Sequence, residues 1–342
     1  MMQTMIHNIE DLEERLSAPS DRLLETFQRI SGDILVLGAA GKMGPTLARM
    51  AKRASTLSDT LRRVIAVSRF SEAGSEAALQ RHGVETIACD LLEGDLEALP
   101  SAPNVIFMAG RKFGSQGNEA LTWAMNVWLP GRVAQRFAES RIVAFSTGNV
   151  YGLSPVAHGG SREEDSPNPQ GEYAMSCLGR ERIFEHFSRV QGTPMAIIRL
   201  NYAVEMRYGV LVDIANRVWE GEAVDLSMGY VNVIWQGEAN ALSLCALEVV
   251  ASPPPLLNVA GSEILRIREV AEEFGRRMGR AVHFEGQERE GALLNCGEKA
   301  RDLFGAPETS VSQIMDWITD WIRRGGATLN KPTHFEVRDG KF

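Results

Sequence analysis

The stretch Ile34-Leu35-Val36-Leu37-Gly38-Ala39-Ala40-Gly41-Lys42-Met43-Gly44-Pro45-Thr46-Leu47 decides the fold class of this chain. Its four apolar residues suit a strand buried on both faces, and its G-x-x-G-x-x-G spacing suits a tight turn. Pro45-Thr46-Leu47-Ala48-Arg49-Met50-Ala51 then reads as a helix with proline in its first turn. Missing glycine side chains let backbone N–H groups and a helix N-terminus approach a pyrophosphate, so this order of elements is a dinucleotide cradle. The spacing departs from the G-x-G-x-x-G form, but the strand-turn-helix context is the required one. Gly38, Gly41, Lys42, Met43 and Gly44 are therefore expected to bind a dinucleotide.

The same alternation continues outward from the turn. Val64-Ile65-Ala66-Val67, Glu85-Thr86-Ile87-Ala88-Cys89, Asn104-Val105-Ile106-Phe107-Met108, Ile142-Val143-Ala144-Phe145 and Met195-Ala196-Ile197-Ile198-Arg199 read as strands separated by helical patterns. Connections of this length imply parallel crossovers, so the predicted class is α/β, a Rossmann-type doubly wound parallel sheet with a smaller C-terminal substrate lobe. Residues 1–30 read as a helical extension, 31–200 as the dinucleotide-binding unit, 201–324 mainly as the substrate lobe and 325–342 as a polar tail that lies on the surface or caps a cleft.

Bulk properties narrow the function. The chain has 342 residues, 44% hydrophobic and 23% charged, which is an ordinary globular composition. A formal net charge of -8 argues against a general nucleic-acid surface. Cys89, Cys177, Cys245 and Cys296 show no C-x-x-C pairing, so neither zinc nor a disulfide framework is expected, and a reducing, cytoplasmic setting follows. No apolar run approaches the roughly 18 residues of a membrane span.

After the second strand, where an acidic residue commonly serves the adenosine ribose of NAD, stand Ser68 and Arg69. A guanidinium beside a hydroxyl suits a 2′-phosphate, so NADP is the expected cofactor in preference to NAD. Asp90, after the third strand, is a candidate acceptor for the adenine amino group or a helix cap.

Together the turn, Cys89-Asp90-Leu91, Phe107-Met108-Ala109-Gly110, Asn126, Ser146-Thr147-Gly148-Asn149-Val150-Tyr151-Gly152, Tyr173 and Asn258-Val259-Ala260 resemble the extended short-chain dehydrogenase/reductase superfamily, also called the NAD-dependent epimerase/dehydratase family. The resemblance covers about residues 32 to 305. It implies that Leu91, Ala109, Gly110 and Lys112 join the cofactor contacts and that a homodimer forms through paired helices, with Ile183-Phe184-Phe187 as candidate apolar surface. It also implies a catalytic Ser or Thr and a Tyr-x-x-x-Lys motif. Thr147 and Tyr173 match, but Cys177 stands where the lysine belongs.

An unperturbed tyrosine has a pKa near 10 and needs a nearby cation to become a phenolate at neutral pH. Cysteine supplies none. Arg111, Lys112 and Arg180 are the candidate substitutes, while Cys177 is read as a small buried residue or as a catalytic thiol.

In nucleotide-sugar enzymes of the family an arginine precedes the strand matching Tyr230-Val231-Asn232-Val233. Here Ser227-Met228-Gly229 takes its place, and the family's phosphate-gripping asparagine has only a shifted counterpart in Asn201. The expected substrate is therefore a small sugar, polyol or sugar acid, met by Asn149, Asn201, Arg207 and Trp235, with Arg207 able to fork onto a carboxylate. His158, Tyr202, Tyr208 and Gln236 complete the expected polar and aromatic set. The expected activity is NAD(P)-dependent oxidation, reduction or epimerisation at a hydroxyl or carbonyl. The alternatives are a catalytically lapsed dinucleotide sensor and a nucleotide-sugar epimerase or dehydratase.

Overall fold

The computed structural model describes residues 6–112, 114 and 117–340. Seven strands form one parallel sheet: β1 (Ile34–Leu37), β2 (Val64–Ser68), β3 (Glu85–Ala88), β4 (Asn104–Phe107), β5 (Arg141–Thr147), β6 (Met195–Leu200) and β7 (Leu256–Val259). Their spatial order is β7-β6-β5-β4-β1-β2-β3, so the order of winding across the sheet reverses between β1 and β4. Ligand crevices open at such a switch point, outside the carboxyl ends of the strands. Leu37 pairs with Val67 on one side and Phe107 on the other, which brings Gly38 and Met108 to the same edge.

Helices cover both faces because β1 is apolar on both. Ile34 and Val36 face α2 (Asp21–Arg29), α3 (Gly44–Leu57) and α9 (Gln236–Cys245), whereas Leu35 and Leu37 face α6 (Leu129–Arg136) and α7 (Gly171–Gln191). The remaining helices are α1 (Ile9–Leu16), α4 (Ser75–Arg81), α5 (Glu119–Trp123), α8 (Val210–Glu220), α10 (Ile267–Met278), α11 (Glu298–Phe304) and α12 (Val311–Arg323). A separate core joins α1, α8, α10 and α12 into the second lobe. None of the described helices is long and apolar enough to cross a membrane.

Two boundaries differ from the sequence expectation. The sheet does not end near residue 200: β7 pairs in parallel with β6, and α9 packs on α3, because Leu257 and Val259 are buried in the same core as Ala196 and Ile198. The N-terminal extension is also divided. Leu12 and Leu16 of α1 enter the second-lobe core, while Leu23 and Phe27 of α2 enter the sheet core.

The expected apolar face on α7 is altered too. Phe184 is fully buried against Phe107, ring centroids 5.4 Å apart, leaving only Ile183 and Phe187 half-buried. An i, i+3 or i+4 row faces a single partner, so Phe184 turns inward toward the sheet instead.

Candidate functional site

The glycine turn forms one wall of a cleft of about 740 Å3. Gly38 has φ +89°, and a Cβ there would lie 2.6 Å from the Ala109 backbone nitrogen, so the turn and the end of β4 touch through bare backbone. At Gly44 a Cβ would lie 2.3 Å from the Ala39 carbonyl oxygen. Gly41 differs, since its Cβ position meets only the Gly38 oxygen at 3.4 Å and it lines the cleft. The N-cap of α3, Met43, makes no side-chain cap, and the first turn contains no acidic residue. Uncapped amides at a fourteen-residue helix N-terminus beside a bare glycine fit a dinucleotide pyrophosphate.

The opposite wall comes from the ends of β5 and β6 and the start of α7. Thr147 ends β5, and Tyr173 lies in the first turn of α7. The two side chains hydrogen-bond, and the Tyr173 phenol also contacts the Cys177 thiol one turn later. Cys177 is 1% exposed and packs with Val150 and Tyr151. Burial pushes its thiol up, against the pull of Arg180. Burial first, and then Cys177, pushes the Tyr173 phenol far above the usual tyrosine range, with Thr147 and Arg180 opposing. The phenol therefore holds its proton at neutral pH unless another cation acts on it.

Two cations flank this tyrosine. Arg180 is buried, donating from Nη1 to the Phe145 carbonyl (2.7 Å) and from Nη2 to Asn126 Oδ1 (2.7 Å). Asn126 in turn accepts from the Arg111 amide and donates to the Arg111 carbonyl and Ser176 Oγ, each at 2.9 Å. That lattice fixes the segment leading to Lys112. The Lys112 ammonium lies 5.8 Å from the Tyr173 ring centroid and lines the cleft. Burial pushes it down to about 8, opposed by Cys177 and Asp213.

The floor of this arrangement is a buried ion pair. Glu181 Oε2 and Arg199 Nη2 are 2.6 Å apart at 2% and 1% side-chain exposure, and Glu181 Oε1 also accepts from Ser146 Oγ at 2.6 Å. Arg199 stacks over Tyr151, whose hydroxyl donates to Asn258 Oδ1 (2.9 Å). The network ties α7 to β5, β6 and β7 directly behind Thr147.

The predicted cofactor residues divide. Gly38, Gly41, Lys42, Met43, Gly44, Gly110 and Lys112 line the cleft with Thr147, Tyr173, Asn149 and Asn201. Ser68, Arg69, Asp90 and Leu91 stand outside it. The Arg69 side chain is 70% exposed and its Nη1 lies 3.8 Å from Asp90 Oδ2. Asp90 Oδ1 accepts from the amides of Leu92 and Glu93, so Asp90 caps its own loop, and Leu91 is buried in the sheet core. Lys42 is exposed as a residue, yet its ammonium end reaches across the cleft. It donates to the Ala203 carbonyl (3.2 Å) and lies 3.5 Å from the Tyr208 ring centroid. Desolvation there pushes it below the usual lysine range, with Glu205 opposing.

Two expected substrate contacts are corrected, Trp235 and Arg207, and a third, Asn201, is held in part. Trp235 is 2% exposed and packs against Trp317 with centroids 5.1 Å apart, so it is a core residue of the second lobe. Arg207 lines the cleft, but its guanidinium is held by Glu13 Oε1 (2.8 Å) and Glu205 Oε1 (3.0 Å), which leaves it no free fork. Asn201 spends its Nδ2 on Asn232 Oδ1 at 2.8 Å. Of the wider polar set, Tyr202 and Tyr208 line the cleft, Gln236 is buried and donates to Thr46 Oγ1 (3.2 Å), and His158 is exposed on a separate turn.

Sequence reasoning missed Glu13 from α1, and of the two readings open for the tail, a surface segment or a cap on a cleft, the structure shows the second at Leu329, Lys331 and Thr333, all of which line the cleft with Glu13. No local motif marks them. Their contact depends on how the two ends of the chain pack.

The fold is shared with solved nucleotide-sugar enzymes. A tyrosine-to-phenylalanine variant of UDP-glucuronic acid 4-epimerase from Bacillus cereus, in complex with UDP-4-deoxy-4-fluoro-glucuronic acid and NAD, is 18% identical with a TM-score of 0.74, covering 85% of this chain and 99% of that one. A dTDP-glucose 4,6-dehydratase from Bacillus anthracis in complex with NAD is 15% identical with a TM-score of 0.70, covering 85% and 96%. UDP-glucose 4-epimerase from Thermotoga maritima with UDP-glucose is 18% identical with a TM-score of 0.69, covering 86% and 99%. No curated protein sequence matches the chain. Residues 34–205 match the family model described as NAD dependent epimerase/dehydratase family, and the chain belongs to that family.

Proposed function

We propose that this protein is an NAD-dependent oxidoreductase or epimerase acting at a hydroxyl or carbonyl carbon of a small carbohydrate-like substrate, a sugar, polyol or sugar acid. The observation that carries this reading is the gathering of Thr147, Tyr173 and Lys112 in the same cleft as the open glycine turn. Gly41 and the first-turn amides of α3 would hold the dinucleotide pyrophosphate. When bound, the dinucleotide would accept a hydride as NAD in oxidation or give one as NADH in reduction.

The chain's own residues then divide the acid-base work. Tyr173 carries the proton to or from the substrate oxygen, and Thr147 orients that oxygen through its hydroxyl. Lys112 replaces from the β4 side the positive charge that Cys177 cannot supply from α7. Because burial keeps the phenol protonated, Tyr173 is ready to donate to a carbonyl, and the Lys112 charge stabilises the phenolate left behind. Cys177 stays a neutral, packed thiol beneath the phenol.

NAD is favoured over the NADP expected from Ser68 and Arg69. The Asp90 carboxylate already faces the Arg69 guanidinium, and a 2′-phosphate drawn to Arg69 would meet that carboxylate. The complexes of the structural neighbours, which contain NAD, support the same choice.

The test is titration of the purified protein with NADH and NADPH, followed by turnover on a panel of sugars, polyols and sugar acids with the parent and Tyr173→Phe. Tighter binding of NADH and turnover lost in Tyr173→Phe are expected. Binding without any turnover would instead favour a lapsed sensor.

A further inference from the structure

We propose that the C-terminal segment, residues 327–340, is a built-in strap that fills the far end of the substrate cleft and restricts the site to compact substrates bearing no nucleotide. The inference rests on the proposed function for the identity of the cleft, and it adds the device that sets substrate size.

The strap is anchored at several points along its length. Trp321 Nε1 of α12 donates to the Ala327 carbonyl (2.9 Å), and the Leu329 amide donates to the Arg207 carbonyl (3.0 Å). Thr333 donates through both its amide (2.8 Å) and its hydroxyl (2.5 Å) to one oxygen of Asp213, on α8. Phe335 is 3% exposed in the second-lobe core. Beyond it, Arg338 Nη1 donates to the carbonyls of Ser227 (2.9 Å) and Gly291 (2.7 Å). A Cβ at Gly340 would lie 2.1 Å from the Gln170 carbonyl oxygen, so the strap ends in backbone contact with the residue that precedes the tyrosine helix. A tail that only drifted over the surface would not bury Thr333 and Phe335 or hold Thr333 and Arg338 in hydrogen bonds to the second lobe.

The placement of these anchors bears on substrate size. Leu329, Lys331 and Thr333 form part of the cleft wall itself. On the far side of Asn149, Val337, Arg338 and Gly340 close against Gly152, Gln170 and Leu293, leaving a cavity of about 10 Å3, room for no more than about one water. The open cleft of about 740 Å3 must take the nicotinamide end of a dinucleotide together with the substrate. A single drug-sized ligand already fills roughly 300–1,000 Å3. The open cleft and the small cavity share Asn149, so a nucleoside diphosphate that ran on past Asn149 would meet the volume the strap occupies. The neighbours solved with UDP-sugars are covered at 99% of their length by about 85% of this chain, so this chain carries a substantial addition to the shared fold.

The experiment is calorimetric titration of UDP and UDP-glucose, with NAD present, into three proteins: the full chain, the chain ending at Gly326, and the full-length double variant Thr333→Ala, Arg338→Ala. The full chain should show no UDP binding into the millimolar range, and both altered proteins should gain affinity by at least tenfold while binding NAD unchanged. Should the shortened chain fail to fold, the double variant still decides, with faster chymotrypsin cleavage after Phe335, which is 3% exposed while the strap is closed, reporting that the strap has loosened. Micromolar binding of UDP or UDP-glucose by the full chain overturns the proposal, as does a loosened strap with no gain in UDP affinity. These readouts are independent of turnover, so loss of the strap inference and loss of the enzymatic reading are told apart.

Discussion

Replacing Lys112 by methionine keeps a long apolar stem and removes the charge beside Tyr173. At 5.8 Å, with an effective dielectric of about 20, a unit charge stabilises a phenolate by about 3 kcal/mol. That corresponds to about a hundredfold in the rate of proton transfer. Lys112→Arg should retain most of the rate, whereas Lys112→Met should lose about a hundredfold in kcat with a smaller effect on NADH affinity. The pH profile supplies the second readout. With its ammonium pushed down to about 8, Lys112 is charged below that pH and neutral above it. Carbonyl reduction, in which Tyr173 gives up its proton, should be flat below about pH 8 and fall above it. Alcohol oxidation should rise with pH and level off near the same value, because the active pair is a phenolate beside a charged lysine. Both breaks should vanish in Lys112→Met. Steady-state kinetics from pH 6 to 10 on the best substrate of the panel make the check. A variant within threefold of the parent with both breaks in place, or a loss wholly in NADH affinity, would refute this role for Lys112.

Other expectations follow from the same geometry. Gly44→Ala forces a Cβ against the Ala39 carbonyl and should lower NADH affinity at least tenfold with a reduced Tm, measured by calorimetry and thermal melts; unchanged affinity would count against the cradle. Glu181→Gln leaves the Arg199 guanidinium buried beside a neutral partner and should cost about 3–5 kcal/mol in urea unfolding, where a loss under about 1 kcal/mol would show that the pair is dispensable. A homodimer is expected through Met175 on α7 and Trp128 on the segment packed beside it, at 44% and 55% exposure. Trp128→Asp should then shift sedimentation from dimer to monomer, and a parent that is already monomeric removes the expectation.

Much of the sheet was legible because each strand is a short apolar run bounded by a turn, a pattern carried by neighbouring residues. The glycine turn was legible for a related reason, its spacing being set by a strand end and a helix start, whereas Thr147 and Tyr173, far apart in the chain, were singled out through the family resemblance and not by their spacing. Trp235 was misread because an aromatic residue near a polar stretch has the same local signature whether it faces a cleft or, as here, Trp317. Arg207 was misread because its partners Glu13 and Glu205 come from opposite sides, one of them nearly two hundred residues away. The Asp90 carboxylate opposite Arg69 joins the ends of two neighbouring strands, and only the β2–β3 pairing brings them together. Lys112 stood among three candidate cations, and only the fold shows that Arg180, which also lines the cleft, is committed to the Phe145 carbonyl and to Asn126.

The grip on Arg207 has a consequence for how the molecule comes apart. Its guanidinium is held by α1 through Glu13 and its carbonyl by the strap through Leu329, while Arg324 donates to the carbonyls of Ile6 and His7. Both ends of the chain therefore close on one residue at the edge of the cleft, and α1 also neutralises Arg49, which is 4% exposed. A fragment trimmed to residues 31–324 would be left with stranded charges rather than a tidy minimal domain. In native-state hydrogen exchange the two ends should open together with the second lobe, as one cooperative unit, instead of fraying separately as chain ends ordinarily do.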